Sequence, residues 1–158
     1  MARLSFGYPI NLALSAVSGP KTLLQIVAPT NQRVRVVRLN LNPLGSTPTS
    51  AQLDFDWVTQ TDGGALTSDN AVRFKRPGDA GVETIQTSML TFNAPGAEPA
   101  IASPAPQHDI IAIHQMASLY WEPNPDEPLI VRGGQRLGLR YLSGAITLTL
   151  KGMLYLEE

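Results

Sequence analysis

Along much of the chain apolar and polar residues alternate one by one. In residues 52–58, Leu53, Phe55 and Trp57 fall on one parity and Asp54 and Asp56 on the other; in 136–142, Leu137, Leu139 and Tyr141 alternate with Arg136, Gly138 and Arg140. Successive side chains of an extended segment point to opposite faces, so each run reads as a half-buried strand, with Asp54 and Asp56 turned to water. Residues 145–156 continue the pattern, Ile146, Leu148 and Leu150 against Thr147, Thr149 and Lys151, until Gly152 interrupts it and predicts a bulge or a close backbone approach. Further strands are expected over 22–28, 33–42, 72–75, 82–92, 110–121 and 129–131. In 33–42 the parity changes midway, Val34 and Val36 against Leu39 and Leu41, so either a bulge falls near Val37 and Arg38 or both faces are covered. No ten-residue stretch carries a convincing helical stripe. Residues 110–116 are ambiguous, because Ile111, His114 and Gln115 also share a helical face, but their β-branched content favours a strand.

Glycine and proline, 13 of each in 158 residues, cluster between these runs at Asn42-Pro43, Asp62-Gly63-Gly64, Pro77-Gly78-Asp79, Pro123-Asn124-Pro125-Asp126, Gly133-Gly134 and Ser143-Gly144. Such punctuation at short intervals predicts an all-β fold, and about eight short strands in one domain fit an antiparallel two-sheet sandwich of jelly-roll type better than an up-and-down barrel. The Gly133-Gly134 pair reads as a turn joining 129–131 to 136–142 as partner strands. Residues 93–109 form a long loop with Pro95, Pro99, Pro104 and Pro106, stiffened towards polyproline II. It reads either as an extended arm laid on a surface or as a solvated loop. Residues 1–21, apolar but broken by Pro9, Gly19 and Pro20, form an N-terminal arm or edge segment ahead of a single domain over 22–158.

The chain contains no cysteine, which removes disulfides, thiolate zinc sites and thiol nucleophiles from consideration. With 12 Lys and Arg against 13 Asp and Glu, a net charge of -1 offers no broad attraction to nucleic acid or to an anionic membrane. No apolar stretch approaches the roughly 18 residues that would span a bilayer as a helix. The start of the chain lacks the unbroken apolar core of a signal peptide, so the expectation is a soluble protein made inside a cell. His108 and His114 lie six residues apart, about 20 Å along a strand, too far to share a metal. There is no Gly-x-Ser-x-Gly elbow, no Walker lysine and no acid pair better explained as catalytic than as the wet side of a strand. The expectation is a protein that is not an enzyme and needs no metal or cofactor.

Binding signals remain. Arg33, Arg35 and Arg38 form the densest basic cluster; Arg33 and Arg35 share a face, either as a patch for an acidic partner or phosphate or as ordinary charged edging of a strand. Nine arginines against three lysines suit charges buried in interfaces. Trp121 ends a strand at a turn, as an interface or sugar-stacking aromatic or as a cap on the edge of the core. Tyr8 in the N-terminal stretch and the four loop prolines complete the candidate partner contacts.

The C-terminal third, Trp121-Glu122-Pro123, then residues 127–140 with Arg132-Gly133-Gly134-Gln135-Arg136-Leu137-Gly138-Leu139-Arg140, then a last strand ending Tyr155-Leu156-Glu157-Glu158, resembles small jelly-roll virion proteins of tailed bacteriophages, of the capsid decoration or cement kind. In layout the resemblance covers most of the chain, and in detail residues 121–158. It implies a structural role in the virion, assembled in the host cytoplasm: many copies, often homotrimers, bind the major capsid protein and one another on the outside of an icosahedral shell. A head–tail or tail accessory role, and a carbohydrate- or protein-binding sandwich module, are the alternatives.

Overall fold

The computed structural model describes residues 4–45, 52–69, 74–75 (backbone), 85–92, 96–102 and 107–158. These form β1 (Ser5–Val17), β2 (Lys21–Val27), β3 (Val34–Leu44), β4 (Gln52–Gln60), β5 (Thr67–Ser68), β6 (Phe74–Lys75), β7 (Ser88–Thr91), β8 (Gln107–His114), β9 (Leu119–Trp121), β10 (Ile130–Val131), β11 (Arg136–Tyr141) and β12 (Ile146–Glu157). All pairings are antiparallel. One sheet runs β10-β3-β12-β1-β6, with β9 on the same edge of β3 as β10; the other runs β5-β7-β2-β11-β4-β8.

Eight positions carry the sandwich, and their order is that of a jelly roll: β1, β12, β3 and the β9/β10 pair face β2, β11, β4 and β8, so neighbours along the chain alternate between sheets except at β4 and β8, which pair with each other. The short β5, β6 and β7 fall between β4 and β8 in sequence and extend the two sheets at their far edges.

Period-two alternation is the reason these segments stack. Phe6, Tyr8, Ile10, Leu12 and Leu14 of β1 and Leu148, Leu150, Leu154 and Leu156 of β12 meet Leu53, Phe55, Trp57, Leu137, Leu139 and Tyr141 of the opposite sheet in one buried cluster. The parity change in β3 is a bulge: Tyr155 pairs with Arg38 and Leu156 with Val36, leaving Val37 as the extra residue. Gly152 is a close approach, since a Cβ there would lie 1.9 Å from the Asn40 carbonyl oxygen.

Four expectations are corrected. Residues 110–121 are two strands in different sheets, β8 and β9, because the chain turns at 115–118 with the Ala117 amide donating to the His114 carbonyl at 2.8 Å. The Gly133-Gly134 turn does not close a hairpin: β10 pairs with β3 while β11 sits between β2 and β4, so the turn crosses between sheets. Gly134, at φ +76°, and Gly133, whose Cβ would lie 2.5 Å from the Thr30 carbonyl oxygen, make that tight crossing possible. Asp56 is not turned to water. It is fully buried, and Arg140 grips it with both Nε, at 2.9 Å, and Nη2, while Gln107 donates to it at 2.9 Å. Finally, the expected strand over 82–92 is confined among the described residues to β7; 82–84 and 72–73 lie outside them.

Candidate protein interface

The bulge at Val37 has its main effect on the outer face of the first sheet. By sequence parity Arg38 opposes Arg35; the extra residue turns Arg38 to the outside, next to Tyr155 on β12 and Tyr120 on β9. Its guanidinium carbon lies 3.9 Å from the centroid of the Tyr155 ring and 5.5 Å from that of Tyr120, so the charge is held between two aromatic faces. The Tyr120 hydroxyl, and then that of Tyr155, raise the Arg38 pKa above its ordinary value, with burial opposing them. Tyr120 is 62% exposed, and its hydroxyl donates to Glu122 at 2.5 Å. Ile130, 41% exposed, stands outward on the same edge of β3. Beneath this surface the Arg38 Nε and Asn40 Oδ1 are buried without a partner among the described residues. Desolvated polar atoms of this kind are costly unless something pairs with them.

Of the other arginines, Arg35 pairs with Glu157 at 3.9 Å and Arg33 is exposed just ahead of β3. Of the three arginines, Arg38 is the one framed by aromatic rings, and the two tyrosines that frame it were not among the candidates. They come from strands far apart in sequence, brought together by registers that only the folded sheet defines.

Tyr8 is corrected. It is 1% exposed and its hydroxyl donates to Asp69, so it belongs to the core and has no surface to offer a partner. Pro95, Pro104 and Pro106 lie outside the described residues. Pro99 is buried against the chain itself, within the segment 96–102, which straps the outer face of the second sheet. There the Thr61 amide donates to the Ala100 carbonyl at 2.8 Å and the Ala102 amide to that of Thr59 at 3.1 Å; Glu98 accepts from the Thr22 amide at 2.7 Å and pairs with Lys21 at 2.8 Å. The arm-on-a-surface reading thus holds for this part of the loop, and the surface is its own sheet.

Under the strap runs a chain of buried amides: Arg136 donates to Gln25 at 2.9 Å, Gln25 to Gln60 and to the Asp62 carbonyl at 2.7 Å, and Gln60 to the Thr22 hydroxyl at 2.7 Å. Gly138 makes room for it, since a Cβ there would lie 2.2 Å from Gln60 Oε1.

Trp121 sits at the mouth of the sandwich, its ring 5.9 Å from that of the fully buried Trp57, with Nε1 donating to Asp109 at 2.8 Å. It caps the core edge and also lines a groove of about 370 Å³ with His108, Asp109, Pro123, Asn124, Glu127, Pro128 and Leu129. Burial lowers the pKa of His108, whose Nε2 lies 3.0 Å from the Thr59 hydroxyl. Among the described residues no three His, Asp or Glu side chains come together as metal ligands, and no helix is long and apolar enough to cross a membrane.

Fold and surface define an antiparallel β-sandwich with an arginine–tyrosine patch on one outer face. Compared with family models, curated proteins and solved structures, the chain matches none of them.

Proposed function

We propose that the protein is a structural virion component that decorates or reinforces the outside of a phage capsid, with the outer face of β3, β9 and β12 as the docking surface. The observation that carries this reading is the Tyr120–Arg38–Tyr155 stack on the outer face of the first sheet, towards its β9 edge. Arg and Tyr are the residues that dominate binding energy at protein interfaces, and rigid strands present them without an ordering cost. A net charge of -1 allows many copies to crowd on one shell without mutual repulsion. Repetition over the shell multiplies contacts that are individually weak.

The test is the copy number in gradient-purified particles, measured by quantitative mass spectrometry, together with the double variant Arg38→Ala/Tyr120→Ala. Decoration requires hundreds of copies per particle and at least a tenfold loss of bound protein in the variant. A dozen copies or fewer would transfer the protein to the head–tail or tail apparatus. The groove at Trp121 favours a second reading, a saccharide-binding module, because a half-buried indole bordered by Asp109, Asn124 and Glu127 offers a stacking face beside hydrogen-bonding groups. Glycan binding that disappears in Trp121→Ala would support it.

A further inference from the structure

Each sheet edge of this sandwich is either short or blunted, with one exception among the described residues. On the first sheet, β10 and β9 are two and three residues long; at the opposite side β6 covers only Phe6 and Gly7, and the rest of the β1 edge carries Pro9 and an irregularity before Val17 where Ala16 has φ +51°. On the second sheet one side ends in the two-residue β5. The other side ends in β8, eight residues long, which pairs with β4 along one edge and with no strand along the other. A bulge at His108 leaves a regular run Asp109-Ile110-Ile111-Ala112-Ile113-His114, without proline, glycine or lysine. Past the bulge and Asp109 at its start, the devices that normally protect an edge from pairing are missing from it. Apolar side chains accompany it: Ile110 is 63% exposed and Met116, just past its end, 70%.

We propose that this edge pairs with the same edge of a second copy of the chain, antiparallel about a two-fold axis at Ala112, joining the two six-stranded sheets into one. The composition of the strand favours a copy of itself. Ala112, the smallest side chain of the run, meets its own counterpart at the axis, where a larger residue would crowd. The exposed Ile110 then lies on the outer face opposite the other copy's His114, where that side chain and Ala112 beside it cover it, and Ile111 lies opposite Ile113 on the inner face, where both are already buried and continue the core side of the joined sheet. Asp109 is the only acidic residue of the run. Antiparallel pairing sets the two Asp109 carboxylates six rungs apart, about 20 Å, where salt screens them, whereas parallel pairing would bring them side by side. The backbone groups supply affinity and the isoleucines register.

This goes beyond the shell-docking reading and uses the opposite sheet from Arg38, so the two can fail separately. The chain's lack of cysteine makes a clean experiment available. Ala112→Cys, oxidised under mild conditions, is expected to give a disulfide-linked dimer at least tenfold faster than Ala13→Cys, an exposed control on the other sheet. Sedimentation velocity of the unmodified protein should show a concentration-dependent dimer. Ile110→Lys should shift the midpoint of that association at least tenfold upward, with an unchanged circular dichroism spectrum and with shell binding at saturating concentration retained. A protein monomeric up to about 100 µM, a trimer as the sole associated species, or cross-linking at position 112 no faster than at position 13 would overturn the proposal.

Discussion

Gly138 illustrates how a single missing side chain serves this fold. Its outward position on β11 is occupied by the Gln60 amide, which is in turn held by Gln25 and Thr22. Adding a methyl group by Gly138→Ala displaces that amide and leaves buried donors and acceptors unpaired, a cost of about 1–3 kcal/mol. Urea unfolding should show the loss, and an unchanged midpoint would mean that the amide network repacks freely. The alternation of Arg136, Gly138 and Arg140 announces an outward face, but nothing in it says that the face is covered. Asp56 is misread for the same reason. Period two distinguishes one side of a strand from the other without telling water from a second layer, and here the layer includes Arg140 and Gln107.

At the scale of elements, the strap over residues 96–102 is held by a carboxylate. Glu98 accepts the Thr22 amide and pairs with Lys21, whose ammonium also donates to the Gly96 carbonyl at 2.8 Å. With Glu98→Ala these ties go while the sandwich core remains, so faster hydrogen exchange is expected at Ala100, Ala102 and Thr61, with a global stability loss of about 1–3 kcal/mol because the amide of the buried Thr22 loses its acceptor. Equal protection in the variant would show that the backbone bonds suffice alone. Proline spacing predicts an extended segment laid on a surface. Which surface is decided by Asp62, whose carboxylate accepts both the Gly64 and the Ala100 amides at 3.0 Å, and by residues far away in sequence. Strand boundaries show a similar division: the break between β8 and β9 follows a stretch in which Ile110, Ile111 and Ile113 read as strand, with no glycine or proline before Pro123 to mark it.

At the scale of the molecule, the core among the described residues is one cluster fed by both sheets. A shared core of this kind unfolds as a unit. The fluorescence of Trp57 and Trp121, one on each sheet, is therefore expected to lose its native signal at the same urea midpoint as the far-ultraviolet circular dichroism. Two resolved midpoints would indicate that the sheets separate before either melts. The C-terminus takes part in this closure, since the Glu158 carboxylate accepts from the Gln86 and Thr87 amides at 2.8 and 2.9 Å and its backbone exchanges bonds with Leu4.

Local pattern alone determined the all-β class, most of the long strands, their inward residues and the bulge alternative in β3, because alternation and turn chemistry are properties of neighbouring residues. Tertiary structure decided which strands share a sheet, which polar faces are covered, and that Arg38 stands between Tyr120 and Tyr155. Those outcomes depend on register and on contacts between strands up to 152 positions apart, for which a linear pattern carries no physical signal.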